Sequence, residues 1–123
     1  MKNKEIAGHT EMATLPKILA VDFDGTLVRD KFPLIGEKNE AVFKQVLSLQ
    51  KAGWKLILWT CRCGKELHDA TRYCLSQGLF FDAVNENLKE VQDMFDGDTR
   101  KIYANKYLDD KNLDVFIPLD WRE

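Results

Sequence analysis

Two aspartates one residue apart, Asp22 and Asp24, close the apolar run ILAV and stand directly before Gly25 and Thr26. Neighbouring carboxylates repel each other and lose hydration, so a stable fold has no use for them at the end of a buried strand. Further along, other apolar segments close on Thr60 in LILWT and on Asp109 and Asp110 in YLDD. Together these residues form an oxygen-only set of high negative charge. Such a set selects a hard divalent cation, and Mg²⁺ suits one that also meets phosphate. The cation would offset the mutual repulsion and leave one carboxylate ionised as a nucleophile.

The elements that must position these groups follow from periodicity. Residues 17–23 read as a strand whose alternation puts Asp22 and Asp24 on one side and Phe23 on the other, with Gly25 permitting a sharp turn. A loop at 27–36, punctuated by Pro33 and Gly36, leads to a helix from about Glu37 to Ala52 with Val42, Val46 and Leu49 on one stripe. WKLILWT (54–60) reads as a strand apolar on both faces, as at the centre of a parallel sheet. A helix over about 65–77 carries Leu67, Ala70 and Cys74. A short strand at 81–84 follows, then a helical segment over about 88–95 with Leu88, Val91 and Phe95 aligned. A strand ending at Leu108, the acidic turn DDKNLD and a last short strand DVFI complete the chain. Strands alternating with helices predict a parallel, doubly wound α/β sheet, whose ligands gather at the carboxyl ends of the strands. Residues 1–14 read as a flexible extension of a single domain.

Composition narrows the class. The 123 residues are 45% hydrophobic and 31% charged, with a net charge of −2, an ordinary globular balance. That charge gives no electrostatic reason to expect nucleic acid or an anionic membrane as partner. No apolar run approaches the roughly 20 residues of a membrane span, and the N-terminus lacks the apolar core of a secretory signal. Cys61, Cys63 and Cys74 are odd in number and form no framework, so they read as reduced thiols in a cytoplasmic protein. His9 and His68 have no evident partners.

D-x-D-G-T after an apolar strand resembles motif I of the haloacid dehalogenase superfamily of phosphohydrolases. LILWT resembles its motif II, an apolar strand closing on Thr or Ser, and YLDDKNLD its motif IV, an acidic pair after the fourth strand. The motifs stand in family order between Val21 and Asp114. The resemblance implies a three-layer α/β/α, Rossmann-like fold, with a central parallel sheet of about five strands in the order 3-2-1-4-5. It also implies a mechanism. Asp22 attacks phosphorus and forms an aspartyl-phosphate, while Asp24 protonates the leaving oxygen and later takes a proton from water. Thr60 and nearby backbone N–H groups hold the phosphoryl oxygens, with Gly25, Thr26, Cys61 and Arg62 as further substrate contacts. Mg²⁺ is held by Asp22, the backbone carbonyl of Asp24 and an acid of the 109–110 pair. Asp110 fits better, because Asp110 and Asp114 reproduce the family's D-x-x-x-D spacing and Asp109 then stands where glycine is common. The alternative register makes Asp109 the ligand and Asp110 its support.

The family's motif III lysine falls on Lys101, about eight residues before the acidic pair. Eight extended residues span roughly 26 Å, so this assignment requires that 101–105 lie outside the strand. Lys89 and Lys106 are the alternatives. The intervals Leu27–Trp54 and Asn85–Tyr103 are too short for the cap domain that the family usually inserts. An uncapped site leaves substrate selection to the 27–36 loop, to a partner subunit of a homo-oligomer, or to a large phosphoester that covers the site itself. Arg29, Lys31, Arg62 and residues 85–87 are candidates for its rim, with Arg62 read either as a surface residue or as a phosphate contact.

Two other classes compete with a phosphatase. A receiver-type signalling domain also carries an acidic pair after its first strand, but its phosphorylated aspartate follows the third strand, where FDAVNEN offers only Glu86. A non-catalytic α/β binding domain is disfavoured by the lack of either glycine-rich nucleotide-binding pattern. Neither Cys61 nor Cys63 has the arginine six residues on that a cysteine phosphatase needs.

Overall fold

The computed structural model of the chain describes residues 14–112. Its strands are β1 (Ile18–Val21), β2 (Lys55–Leu58), β3 (Ala83–Val84) and β4 (Lys106–Leu108). Between them lie helices α1 (Glu40–Lys51), α2 (Gly64–Ser76) and α3 (Lys89–Phe95). All strand pairs are parallel, in the order β3-β2-β1-β4, so the protein is of the α/β class. The expected fifth strand at 114–117, Asp114 and most of the N-terminal extension lie outside the described residues.

Register is what brings the polar residues together. Val21 is level with Leu58 on one side and with Leu108 on the other. The segments that follow, Asp22 onward, Trp59 onward and Asp109 onward, therefore leave the sheet at the same height. The sheet stays in register because β1 is buried along its whole length. Leu19, Val21 and Phe23 pack with Leu56 and Leu58 of β2, Phe43 and Val46 of α1, and Ala70 and Cys74 of α2. Ile18 and Ala20 pack with Ile57, with Leu88 and Val91 at the start of α3, and with Ile102. Each large apolar side chain so buried contributes about 1.5–3 kcal/mol, and a slip of one residue would turn every one of them to the wrong face.

Several elements differ from the sequence expectation, each for a local reason. α1 begins at Glu40 rather than near Glu37, because the preceding residues pair with the loop. Arg29 N–H donates to the Glu37 carbonyl (2.8 Å) and Asn39 N–H to the Leu27 carbonyl (2.8 Å). Asn39 then caps the helix by accepting from Val42 N–H (3.3 Å). Phe43 and Val46 are the fully buried residues of α1, while Val42 and Leu49 pack at the margin of the core. In α3, Leu88 and Val91 are buried as expected, but Phe95 is 44% exposed. The helix stops there because Asp96 adopts a left-handed conformation (φ 60°), and the Phe95 ring leans on Tyr103 at the surface (6.1 Å between centroids). β3 is shorter than the predicted 81–84, since the Asp82 side chain accepts from Leu56 N–H (2.9 Å) and only Ala83 and Val84 continue the ladder.

The 27–39 segment is folded back on itself. Val28 bridges Lys38, and Gly36 lies so close to the opposing strand that a Cβ there would stand 2.0 Å from the Arg29 carbonyl oxygen. A backbone atom cannot step aside as a flexible side chain can. Gly36→Ala should therefore cost about 1–3 kcal/mol. A thermal melt that showed no fall in the midpoint would contradict this account of the loop.

Candidate active site

The turn after β1 is wound around one carbonyl. Phe23 C=O accepts from the N–H groups of Thr26 (3.2 Å), Leu27 (2.9 Å) and Val28 (3.2 Å), and Gly25 N–H donates to the Val28 carbonyl (2.8 Å). Gly25 takes φ 87°, a left-handed value that favours glycine, and a Cβ there would stand 2.3 Å from Asp110 Oδ2. The bare glycine thus makes room for the Asp110 carboxylate. Thr26 is 6% exposed; its hydroxyl donates to Asp22 Oδ2 over a long 3.4 Å and accepts from Asp110 N–H at 3.1 Å. Gly25 and Thr26 were expected as substrate contacts. In the structure they join the end of β1 to the end of β4.

Asp22, Asp109 and Asp110 each offer an oxygen within 4.8 Å of the others. Consecutive residues of a strand point to opposite sides, which set Asp109 against Asp110 as alternatives. β4 ends at Leu108, however, and Asp110 already lies in a turn in which Asp109 Oδ1 accepts from Lys111 N–H (2.9 Å). Both acids therefore reach Asp22. Burial and the neighbouring acids together push the Asp22 carboxyl up to about 6 from an ordinary value of 3.8. Burial is the main cause, countered by the Phe23 N–H. The charge of Asp109, then the hydrogen bond and charge of Asp110, add to the rise.

Asp24 has quite different company. Arg62 donates to it side-on, Nε to Oδ2 and Nη2 to Oδ1, both at 2.8 Å. The remaining guanidinium hydrogens reach the carbonyls of Pro33 (3.3 Å) and Glu66 (3.2 Å) from Nη1 and of Leu34 (2.8 Å) from Nη2. All five N–H donors are thereby used. The guanidinium lies 5.0 Å from the Phe23 ring centroid and 5.2 Å from that of Phe32. Its hydrogen bond to Asp24 raises the Arg62 pKa further, so the charge is permanent. Arg62 is 2% exposed. It is neither a surface residue nor a free phosphate contact, which corrects both readings made from sequence.

Thr60 sits at the carboxyl end of β2 with its N–H on Asn85 Oδ1 (2.8 Å). Its hydroxyl oxygen accepts from Arg62 N–H (3.1 Å), which leaves the hydroxyl hydrogen to donate. Asn85 takes φ 55°, a conformation asparagine tolerates, and so serves as an anchor for Thr60. Asn87, another expected rim residue, is 1% exposed, and its side chain bonds Asp98, Thr99 and the Tyr103 N–H. Of the charged rim candidates, Arg29 is exposed and paired with Glu37 (3.1 Å), and Lys31 is exposed. Cys61 is exposed next to Thr60, Cys63 is exposed at the start of α2, and both are free thiols. Cys74 is buried, and burial pushes its thiol up to about 12.

The lysine assignment is not met by a contact. β4 begins at Lys106, so Lys101 lies outside the strand as its assignment required, but it borders a surface groove with Phe95, Thr99 and Tyr107. Lys89 pairs with Asp93 along α3 (2.8 Å), and Lys106 opens β4 at the amino end, away from the acids. Among the described residues, no ion pair joins any of the three to Asp22, Asp109 or Asp110. The lysine that does approach is Lys111, its Nζ 3.6 Å from Asp110 Oδ2. Sequence reasoning passed over it, though its place beside the acidic pair was visible.

This arrangement can be set beside known proteins. The chain is similar to a solved structure described as the conserved protein coded by a locus from Bacteroides thetaiotaomicron. The two are 36% identical with a TM-score of 0.71, over 80% of this chain and 79% of that one. The chain belongs to the family of that conserved protein. No family model and no curated protein matches it. The family is thus fixed by fold and sequence together.

The raised Asp22 pKa has a consequence for stability. The folded chain holds this proton more tightly than the unfolded chain, so the contribution is full below the ordinary 3.8 and is lost as pH rises through about 6. Asp22→Asn should therefore stabilise the metal-free protein at pH 7.5. The gain is on the order of 1 kcal/mol once solvent screening of a half-buried carboxylate is allowed for. It should vanish near pH 3.5. Thermal melts of both proteins at the two pH values check this, and an equal shift at both would rule out the raised Asp22 pKa.

Proposed function

We propose that the chain is a Mg²⁺-dependent phosphatase that hydrolyses a phosphomonoester through an aspartyl-phosphate on Asp22. The observation that carries this reading is the convergence of Asp22, Asp109 and Asp110, with oxygens within 4.8 Å of one another, at level strand ends. The fit of a cation rests on the donor set: three carboxylates, all oxygen, with Asp22 held well above its ordinary pKa by burial and by its neighbours. Asp22, the Asp24 carbonyl and Asp110, with Asp109, would hold Mg²⁺. Bound there, the cation would neutralise the cluster and the charge on a phosphoryl group.

The chain's own residues then divide the work. An Asp22 oxygen attacks phosphorus, the P–O bond to the leaving group breaks, and that oxygen departs with the electron pair and a proton from Asp24. Water next attacks phosphorus, gives a proton to Asp24, and releases phosphate as the bond to Asp22 breaks. The Thr60 hydroxyl donates to a phosphoryl oxygen, aided by the N–H groups that open α2. A side-on arginine occupies one lone pair on each Asp24 oxygen, so the others stay open for proton transfer. This reading includes a single three-layer α/β/α domain of the haloacid dehalogenase type, a fifth strand following the acidic turn, and a cytoplasmic protein with its thiols reduced.

Phosphate release from simple monoesters should disappear in EDTA and return with Mg²⁺. Asp22→Asn should lower turnover at least ~10³-fold while the fold persists. Full activity in EDTA, or near-normal turnover by Asp22→Asn, would end this reading.

Between the two acids that follow β4, Asp110 is the one locked to Gly25 and Thr26. Asp110→Ala should raise the Mg²⁺ concentration for half-maximal activity ~10–100-fold, and Asp109→Ala should raise it less. The reverse order would assign the closer ligand to Asp109.

A further inference from the structure

We propose that Arg62 is a positioning residue for the leaving-group step: it sets the Asp24 carboxylate and the 32–34 turn as one rigid unit. The inference rests on the phosphatase reading for the role of Asp24, and on geometry for everything else. A buried guanidinium has to find five acceptors. Here two come from Asp24, two from the backbone of the 33–34 turn and one from the first turn of α2. The Phe23 and Phe32 rings lie against the same group. Asp24 therefore cannot rotate without stripping a buried charge of its partner, and the turn cannot move without leaving two donors unmet. The residue that would handle the leaving oxygen and the loop that borders it are held in one fixed relation.

Arg62 also donates its backbone N–H to Thr60 Oγ1, so the unit extends to the hydroxyl proposed to hold the phosphoryl group. Lysine in its place keeps the charge but not the fork. One ammonium cannot span both Asp24 oxygens and three carbonyls in the same directions.

The test compares two esters, glycerol 2-phosphate, whose alkoxide needs a proton to leave, and 4-nitrophenyl phosphate, whose phenolate does not. With Arg62→Lys, kcat on glycerol 2-phosphate should fall ~100-fold with KM little changed, the size expected when a reacting group is displaced by about 1 Å. The fall on the nitrophenyl ester should be much smaller. In an Asp24→Asn background, Arg62→Lys should add no further loss, because its effect passes through Asp24. Equal losses on both esters, a change in KM alone, or a full additional loss in the Asp24→Asn background would each overturn the proposal.

Should Arg62→Lys fail to fold, Phe32→Ala removes an exposed ring that packs on the guanidinium and so loosens its hold on Asp24 and the 33–34 carbonyls. It should bias the enzyme against the alkyl ester in the same direction and to a smaller degree, and no bias would overturn the proposal. Absence of phosphate release from either ester by the wild-type protein is a separate result, which refutes the phosphatase reading itself.

Discussion

A permanently charged group in the interior has to be answered on every side, and in this protein the answer organises the region around the strand ends. Arg62 donates its backbone N–H to Thr60 Oγ1 and its guanidinium to the Glu66 carbonyl, so it ties the end of β2 to the start of α2. Through Asp24 it reaches the turn after β1, and through the Pro33 and Leu34 carbonyls it reaches the loop beyond. An isolated ion pair at such depth is often no more stable than an apolar replacement, because desolvating two charges costs as much as their attraction returns. What it secures here is geometry. Losing any one acceptor would strand a buried donor, so the surrounding segments hold their places together.

The second constraint is the level register of β1, β2 and β4. Apolar residues on both faces of β1 fix it, and its consequence is to crowd carboxylates where the strands end. Burial already holds the Asp22 carboxyl above its ordinary range, and the crowding adds to that rise. The chain accommodates it with small, specific means. Gly25 gives up its side chain so that Asp110 can approach, and the Thr26 hydroxyl donates to one acid while accepting from the backbone of the other. The core and the register are strong enough to carry a cluster that the acids by themselves would disperse.

Much of this was legible in the sequence because it depends on local pattern. Apolar runs gave the strand identities and the parallel arrangement, the family resemblance implied the order of the four described strands, and the D-x-D-G-T stretch marked where β1 would end. Helix starts and exposed stripes were less legible. Asn39, rather than Glu37, opens α1 because residues 37–39 pair with 27–29, a contact between segments ten residues apart that periodicity does not contain. Phe95 obeyed helical spacing and still came to the surface, because a left-handed Asp96 ended the helix there. Arg62 was the largest misreading. A charged residue beside a strand end reads either as surface or as a phosphate contact, and only the three-dimensional convergence of Asp24 with the 33–34 carbonyls shows why it is buried. The choice between Asp109 and Asp110 was framed as a question of strand parity, and the early end of β4 removed the premise.

The two aspartates that open the site differ by more than their order. Asp22 is packed among like charges and partial burial, which favour its protonated form in the absence of a cation. Asp24, two positions on, faces a guanidinium that lies outside the acidic cluster and meets it with two short hydrogen bonds. The two carboxylates thus face different partners, one the acidic cluster and the other a guanidinium. The separation is produced by the turn between them. Once the chain has left the sheet, Asp22 remains over the end of β4 while Asp24 swings to the side of β2 and α2. The same turn requires the left-handed Gly25, and Gly25 in turn admits Asp110. The division of labour proposed for the pair and the crowding that defines the cluster therefore have one structural origin, a four-residue stretch in which no side chain could replace the missing one.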